Sequence, residues 1–199
     1  MTRDDSCLDD SELLYLGSPI ALYASLCAKL GLALVRIPMP EGLTPVSLAN
    51  FDQAIEHIVR DFTLQGVSVL AHCRGGVGRA GLVACAWALK MGLVPETGEV
   101  PSFAMAASAL FTTPSSHPEA DEDELDERFL FGSEAGAYAR ADLQIARDVI
   151  AVIRRRRSVK AIETYEQVRW VVNYVRRLRE ARESSDAAAA NADDESARA

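Results

Sequence analysis

Cys73 and Arg79 enclose five residues, three of them glycine, in the segment HCRGGVGR. The apolar, β-branched run GVSVLA (66–71) precedes it and an Ala-, Leu- and Val-rich stretch (79–91) follows, so the local order is strand, loop, helix. Successive backbone N–H groups at a helix N-terminus form an anion cradle, and glycines let the chain close around the ligand. A cysteine at the mouth of such a cradle is favoured as the thiolate by the same amides and by the helix dipole. An arginine closing the loop can bind two phosphate oxygens at once. Thiolate, amides and guanidinium together are the parts for nucleophilic attack on a phosphoester, with no metal or cofactor in the scheme. A glycine-rich turn carrying a merely structural cysteine explains neither His72 nor Arg79 at this spacing.

The octet His72 to Arg79 resembles the HC(x)5R signature of the cysteine-dependent protein tyrosine and dual-specificity phosphatases. Other segments resemble the same family: LYLGS (14–18), AKLG (28–31), RIPMPEGLTP (36–45) and RRRRSVKAIETYEQ (154–167). The third is similar to the mobile general-acid loop of the kinase-associated and cell-cycle branch. The resemblance implies a phosphocysteine intermediate on Cys73. Arg79 would bind phosphate, and amides from Arg74, Gly75, Gly76, Val77, Gly78 and Arg79 would form the cradle. His72 would lie beneath the loop and help keep Cys73 ionised. Glu41 would protonate the leaving oxygen and then activate water, and Gln167 is the candidate for orienting that water. Three residues depart from the family pattern: Glu41 stands for the usual aspartate, Ala80 for a serine or threonine, and Glu163 for a glutamine. The stretch between the LYLGS helix and the acid loop also has room for one strand instead of two.

The elements that must hold this loop are readable from pattern. Ser18-Pro19 starts a helix that Gly31 stops. LALVRI (32–37) reads as a strand and the proline-rich 38–45 as a loop. Apolar residues at Phe51, Ile55, Ile58, Val59 and Phe62 have helical spacing. Two more helices are expected near Ala141–Ile153 and Glu163–Leu178. Alternating strands and helices give an α/β fold, with a central, mostly parallel sheet flanked by helices and a shortened N-terminal part of that sheet. Trp170, Tyr174, Cys27 and Cys85 read as core residues, the two cysteines with a protective redox role as an alternative.

The 199 residues carry 21 basic and 29 acidic side chains, a formal net charge of −8. That excess is segregated. Residues 13–95 hold six bases and four acids, and 139–179 hold eleven and four. Acidic, aromatic-poor segments cannot bury enough surface to offset chain entropy. The domain expected is therefore a catalytic unit over 13–179, interrupted by a flexible acidic insertion at 95–138. A flexible acidic N-terminus (1–12) and a disordered tail (180–199) would flank it. Overall acidity disfavours nucleic acid and anionic membranes as partners, and the four cysteines lack metal-site spacing. The expected partner is a phosphorylated protein, and oligomeric state is left open. The expected compartment is the cytoplasm, with the nucleus as an alternative on the Arg154–Arg157 run. A phosphoinositide or RNA 5′-phosphate phosphatase, and a phosphosite-binding module without turnover, are the competing functions.

Overall fold

A computed structural model describes residues 2–94 and 139–197. The insertion expected at 95–138 lies outside the described residues. Three parallel strands form the sheet: β1 (Thr2–Ser6), β2 (Leu32–Arg36) and β3 (Ser68–His72), in the order β2-β1-β3. Around them lie α1 (Asp10–Tyr15), α2 (Ile20–Lys29), α3 (Leu48–Asp61), α4 (Arg79–Lys90), α5 (Arg140–Arg156) and α6 (Tyr165–Ala197). The α/β class with a parallel sheet is as expected.

Two boundaries are corrected. Residues 2–6 are the central strand of the sheet, paired with both neighbours from Thr2↔Leu32 and Thr2↔Ser68 to Ser6↔Arg36 and Ser6↔His72. The acidic N-terminal segment expected to be flexible is thus ordered as a strand over residues 2–6, and it supplies the pairing that one strand before the acid loop seemed to lack. Its charges are neutralised locally. The strand's period of two puts Arg3 and Asp5 on one face, where Arg3 Nε donates to Asp5 Oδ1 at 2.8 Å and the guanidinium lies 3.6 Å from the Phe62 ring centre. Asp4 points to the other face, toward α2. At the far end, α6 runs on as helix through Ala197, correcting the disordered tail. Its alanine-rich sequence has high helix propensity, and residues 180–190 stay solvent-exposed.

The core sits between the sheet and the helices α3 to α6. Phe51 of α3 meets Trp170 edge-on at 4.7 Å, Trp170 stacks on Tyr174 at 5.2 Å, and Tyr174 Oη donates to Asp52 at 2.7 Å. Trp170 and Tyr174 are core residues, as read from spacing. Asp142, buried in α5, accepts two bonds from Arg179 of α6 at 2.8 and 2.9 Å. A bidentate carboxylate–guanidinium pair of this kind fixes the angle between two helices as well as adding energy.

Candidate active site

β3 ends at His72, and the chain turns through residues 73–78 before α4 begins at Arg79. Gly76 takes φ +68°, a conformation other residues adopt at a cost. Its N–H then points back and donates to Cys73 Sγ at 3.2 Å. The first turn of α4 has no side-chain cap, so its amides remain available to an anion. Ala80 is buried and brings no hydroxyl to the sulfur.

Arg79 is only 3% exposed, and its guanidinium is fixed from two sides. Glu12 Oε2 and Oε1 accept from its Nη1 and Nη2 at 2.6 and 2.8 Å, and the Met39 carbonyl accepts from Nη1 at 2.8 Å. The hydrogen bond from Arg79 is the main cause holding the Glu12 carboxyl below its ordinary range. Sequence spacing alone does not place Glu12 in this site. One signal was present: Asp9 and Glu12 have capping-box spacing, and each bonds the other's backbone N–H. Nothing local tells that the same carboxylate reaches an arginine 67 residues away.

Glu41 stands on the loop after β2, exposed, with Oε2 3.4 Å from Arg74 Nη1. With Ser11, Glu12, Tyr15, Leu16 and Arg74 it lines a shallow recess of about 180 Å³ beside the phosphate loop. The candidate general acid, one cradle residue and the clamp on Arg79 are thus brought together. The acid loop is tied down behind Glu41, where the Gly42 and Leu43 carbonyls accept from Thr164 Oγ1 at 3.0 Å and Gln167 Nε2 at 3.2 Å.

Gln167 is fully buried, and its Oε1 accepts from the Glu163 N–H at 2.8 Å. One end of its amide therefore braces the acid loop and the other holds the Glu163 backbone ahead of α6. A Cβ on Gly78 would stand 3.0 Å from that amide and would push the Glu163 carboxylate, 2.3 Å away, aside. Of the four arginines 154–157, Arg157 reaches the phosphate loop and donates to the Gly76 carbonyl at 3.2 Å. Arg154 turns inward, its Nε 3.0 Å from the Ala161 carbonyl. The neighbouring Ile162 is held at φ +60°, a strained conformation for a β-branched residue.

His72 faces α2, where its Nε2 lies 2.9 Å from Tyr23 Oη and 3.4 Å from Asp4 Oδ1. Asp4 is the main cause raising the ring above its ordinary value. Cys85 is buried in the core, and burial pushes its thiol up to about 12. Cys27 is buried beside Asp4, with Sγ 3.8 Å from Oδ2. The cysteine beside Cys73 is instead Cys7, which continues the β1–β3 register and whose N–H donates to the His72 carbonyl at 2.9 Å. Among the described residues, no three His, Cys, Asp or Glu side chains are grouped to hold a metal ion, and no helix is long and apolar enough to cross a membrane.

Residues 13–93 match the family model described as Tc-R-P: Polymorphic toxin system, DSP-PTPase phosphatase. No curated protein matches the chain. Among solved structures, the fold is similar to Tk-PTP in a glycine-to-alanine mutant form, with TM-score 0.54 and 19% identity over 89% of this chain and 79% of that one. It is also similar to kinase associated phosphatase (KAP) with its catalytic-site cysteine substituted to serine: TM-score 0.50, 18% identity, 86% of this chain and 66% of that one. Tk-PTP in the active form gives TM-score 0.50 and 20% identity, over 87% and 77%. These structures speak for the fold. The matched stretch 13–93 contains the whole phosphate loop.

Proposed function

We propose that this protein, whose residues 13–93 match a DSP-PTPase phosphatase family model, hydrolyses phosphotyrosine in protein substrates through a phosphocysteine intermediate, with phosphoserine and phosphothreonine as further substrates. The observation that carries the reading is the pairing of two features. The Gly76 N–H points at Cys73 Sγ, and Arg79 is fixed at the other end of the same loop. Cys73 Sγ attacks phosphorus, the S–P bond forms and the bond to the leaving oxygen breaks. Glu41 gives that oxygen its proton. Water then attacks phosphorus, Glu41 takes the water's proton, and inorganic phosphate leaves as the thiolate is restored. Arg79 and the loop amides hold the phosphoryl oxygens throughout, where charge develops. The shallow recess beside the loop, open between Tyr15 and Arg74, supports a site that does not select for the depth of one side chain.

The test is phosphate release from an aryl phosphate, phosphotyrosyl and phosphoseryl peptides, and inositol phosphates. Turnover of the aryl phosphate and phosphotyrosyl peptide, lost in Cys73→Ser, is expected. Wild-type rates in Cys73→Ser would falsify the reading. Peptide binding without turnover by the unaltered protein identifies a phosphosite-binding module instead, and preference for inositol phosphates overturns the protein substrate.

A further inference from the structure

Beneath the phosphate loop lies a polar cluster that the HC(x)5R signature does not contain. β1 delivers Asp4, 4% exposed, to the α2 face of the sheet. Tyr23 Oη donates to Asp4 Oδ2 and lies 2.9 Å from His72 Nε2, while Asp4 Oδ1 is 3.4 Å from that nitrogen. With the phenol proton committed to the carboxylate, only an N–H on His72 Nε2 satisfies the phenol oxygen and the carboxylate it faces. An Nε2–H that faces a buried carboxylate at 3.4 Å puts the ring in ion-pair geometry, and a neighbouring anion favours the imidazolium.

We propose that Asp4, acting with Tyr23, is a positioning residue that keeps His72 as an imidazolium behind Cys73 and so holds the Cys73 peptide and a positive charge beneath the thiolate. The proposal rests on Cys73 being the nucleophile. The groups facing His72 are Asp4 of β1, Tyr23 and Cys27 of α2, and Cys73 itself, with Asp5 acting from the far side of β1. Asp5 is paired with Arg3 on the opposite face, and the Cys27 thiol, raised by burial, is neutral. Asp4 is therefore the anion that balances the ring. Burial alone would raise the Asp4 carboxyl, but the bonds from His72 and Tyr23 outweigh it and hold it low.

The imidazole C–H signals of the full chain, followed by NMR against pH, test this together with the pH profile of kcat/KM for an aryl phosphate. Asp4→Asn is expected to lower the His72 midpoint by about one pH unit or more. The alkaline fall of kcat/KM should move down by the same amount, while acidic rates, where both proteins hold the imidazolium, are retained. An unmoved midpoint in folded Asp4→Asn overturns the proposal. So does a moved midpoint with an unmoved rate profile, the mark of a purely structural Asp4. If Asp4→Asn fails to fold, Tyr23→Phe, on a half-buried helix position, gives the same readout. A lowered midpoint and profile support the proposal, and unchanged ones overturn it. A wild-type chain that titrates as described yet releases no phosphate sinks the phosphatase reading instead and leaves the His72 assignment standing.

Discussion

Glu12 is the residue that most changes how the site is understood. Two carboxylate–guanidinium bonds and one carbonyl bond leave Arg79 a single orientation before any ligand arrives, and a pre-set guanidinium loses little freedom on binding phosphate. Glu12→Gln keeps the shape but removes the charge and half the bidentate pairing. Steady-state kinetics should show kcat/KM lower by about 10- to 100-fold, the scale of a small misplacement at a reacting centre; an unchanged value would make Glu12 a helix-capping residue only. Glu41 has a different signature. Glu41→Gln should cost about 100-fold or more in kcat with a poor leaving group and much less with a nitrophenolate that needs no proton, and equal losses for both would remove it as the acid. Cys73 and Arg79 were singled out as candidates by their spacing within one segment, and Glu41 by the resemblance of its loop to a general-acid loop. Glu12 was not, because its partner is distant in sequence, and Arg157 could not be singled out from four adjacent arginines until the turn after α5 was placed.

At the scale of elements, the strand β1 is the departure from what pattern reading supports. TRDDS lacks the apolar alternation that marks strands, yet it pairs on both sides and its residues 3–6 are buried. It tolerates this because Arg3 and Asp5 neutralise each other two residues apart, a contact invisible to composition. The arrangement has a cost. Arg3 Nη2 and Asp5 Oδ2 are buried without a hydrogen-bond partner among the described residues, and burial raises the Asp5 carboxyl despite Arg3. Replacing both members of a buried pair by apolar residues is often neutral or stabilising, whereas removing one leaves a buried charge. Arg3→Leu with Asp5→Val should therefore match or exceed the wild-type Tm, while Asp5→Val alone should lose about 3 kcal/mol in chemical denaturation. A double variant worse than the single one would show that the pair itself stabilises the strand. The helices α3 and α5, by contrast, were read nearly to their ends, since they carry apolar residues at clear helical spacing, whereas α6 runs past Leu178 to Ala197.

For the whole molecule, the segregated charge seen in the sequence becomes spatial. Arg74, Arg79 and Arg157 surround one loop, and Asp5, Glu12 and Asp4 are paired internally with Arg3, Arg79 and His72. This sets the pH range of stability. Glu12 and Asp4 are held low in the folded state, so their contribution is present above their ordinary values of 4.5 and 3.8 and fades as pH falls through the lowered ones. His72 is held high, so its contribution is complete below its ordinary 6.5 and fades as pH rises through the raised value. Thermal melts across pH should peak between these limits and decline on both sides. A plateau extending well into alkaline pH would mean that the His72–Asp4 pair adds no stability.

The most direct test of a nucleophilic Cys73 held in a preformed cradle is to trap its intermediate. The chain is mixed with a phosphotyrosyl peptide, quenched in acid within a turnover, digested and analysed by mass spectrometry. A phosphoryl group on the peptide containing Cys73, appearing with the first released tyrosyl peptide and absent from Cys73→Ser, is the expected result. Phosphate release at an undiminished rate from Cys73→Ser, or a phosphoryl group on another residue, would contradict it.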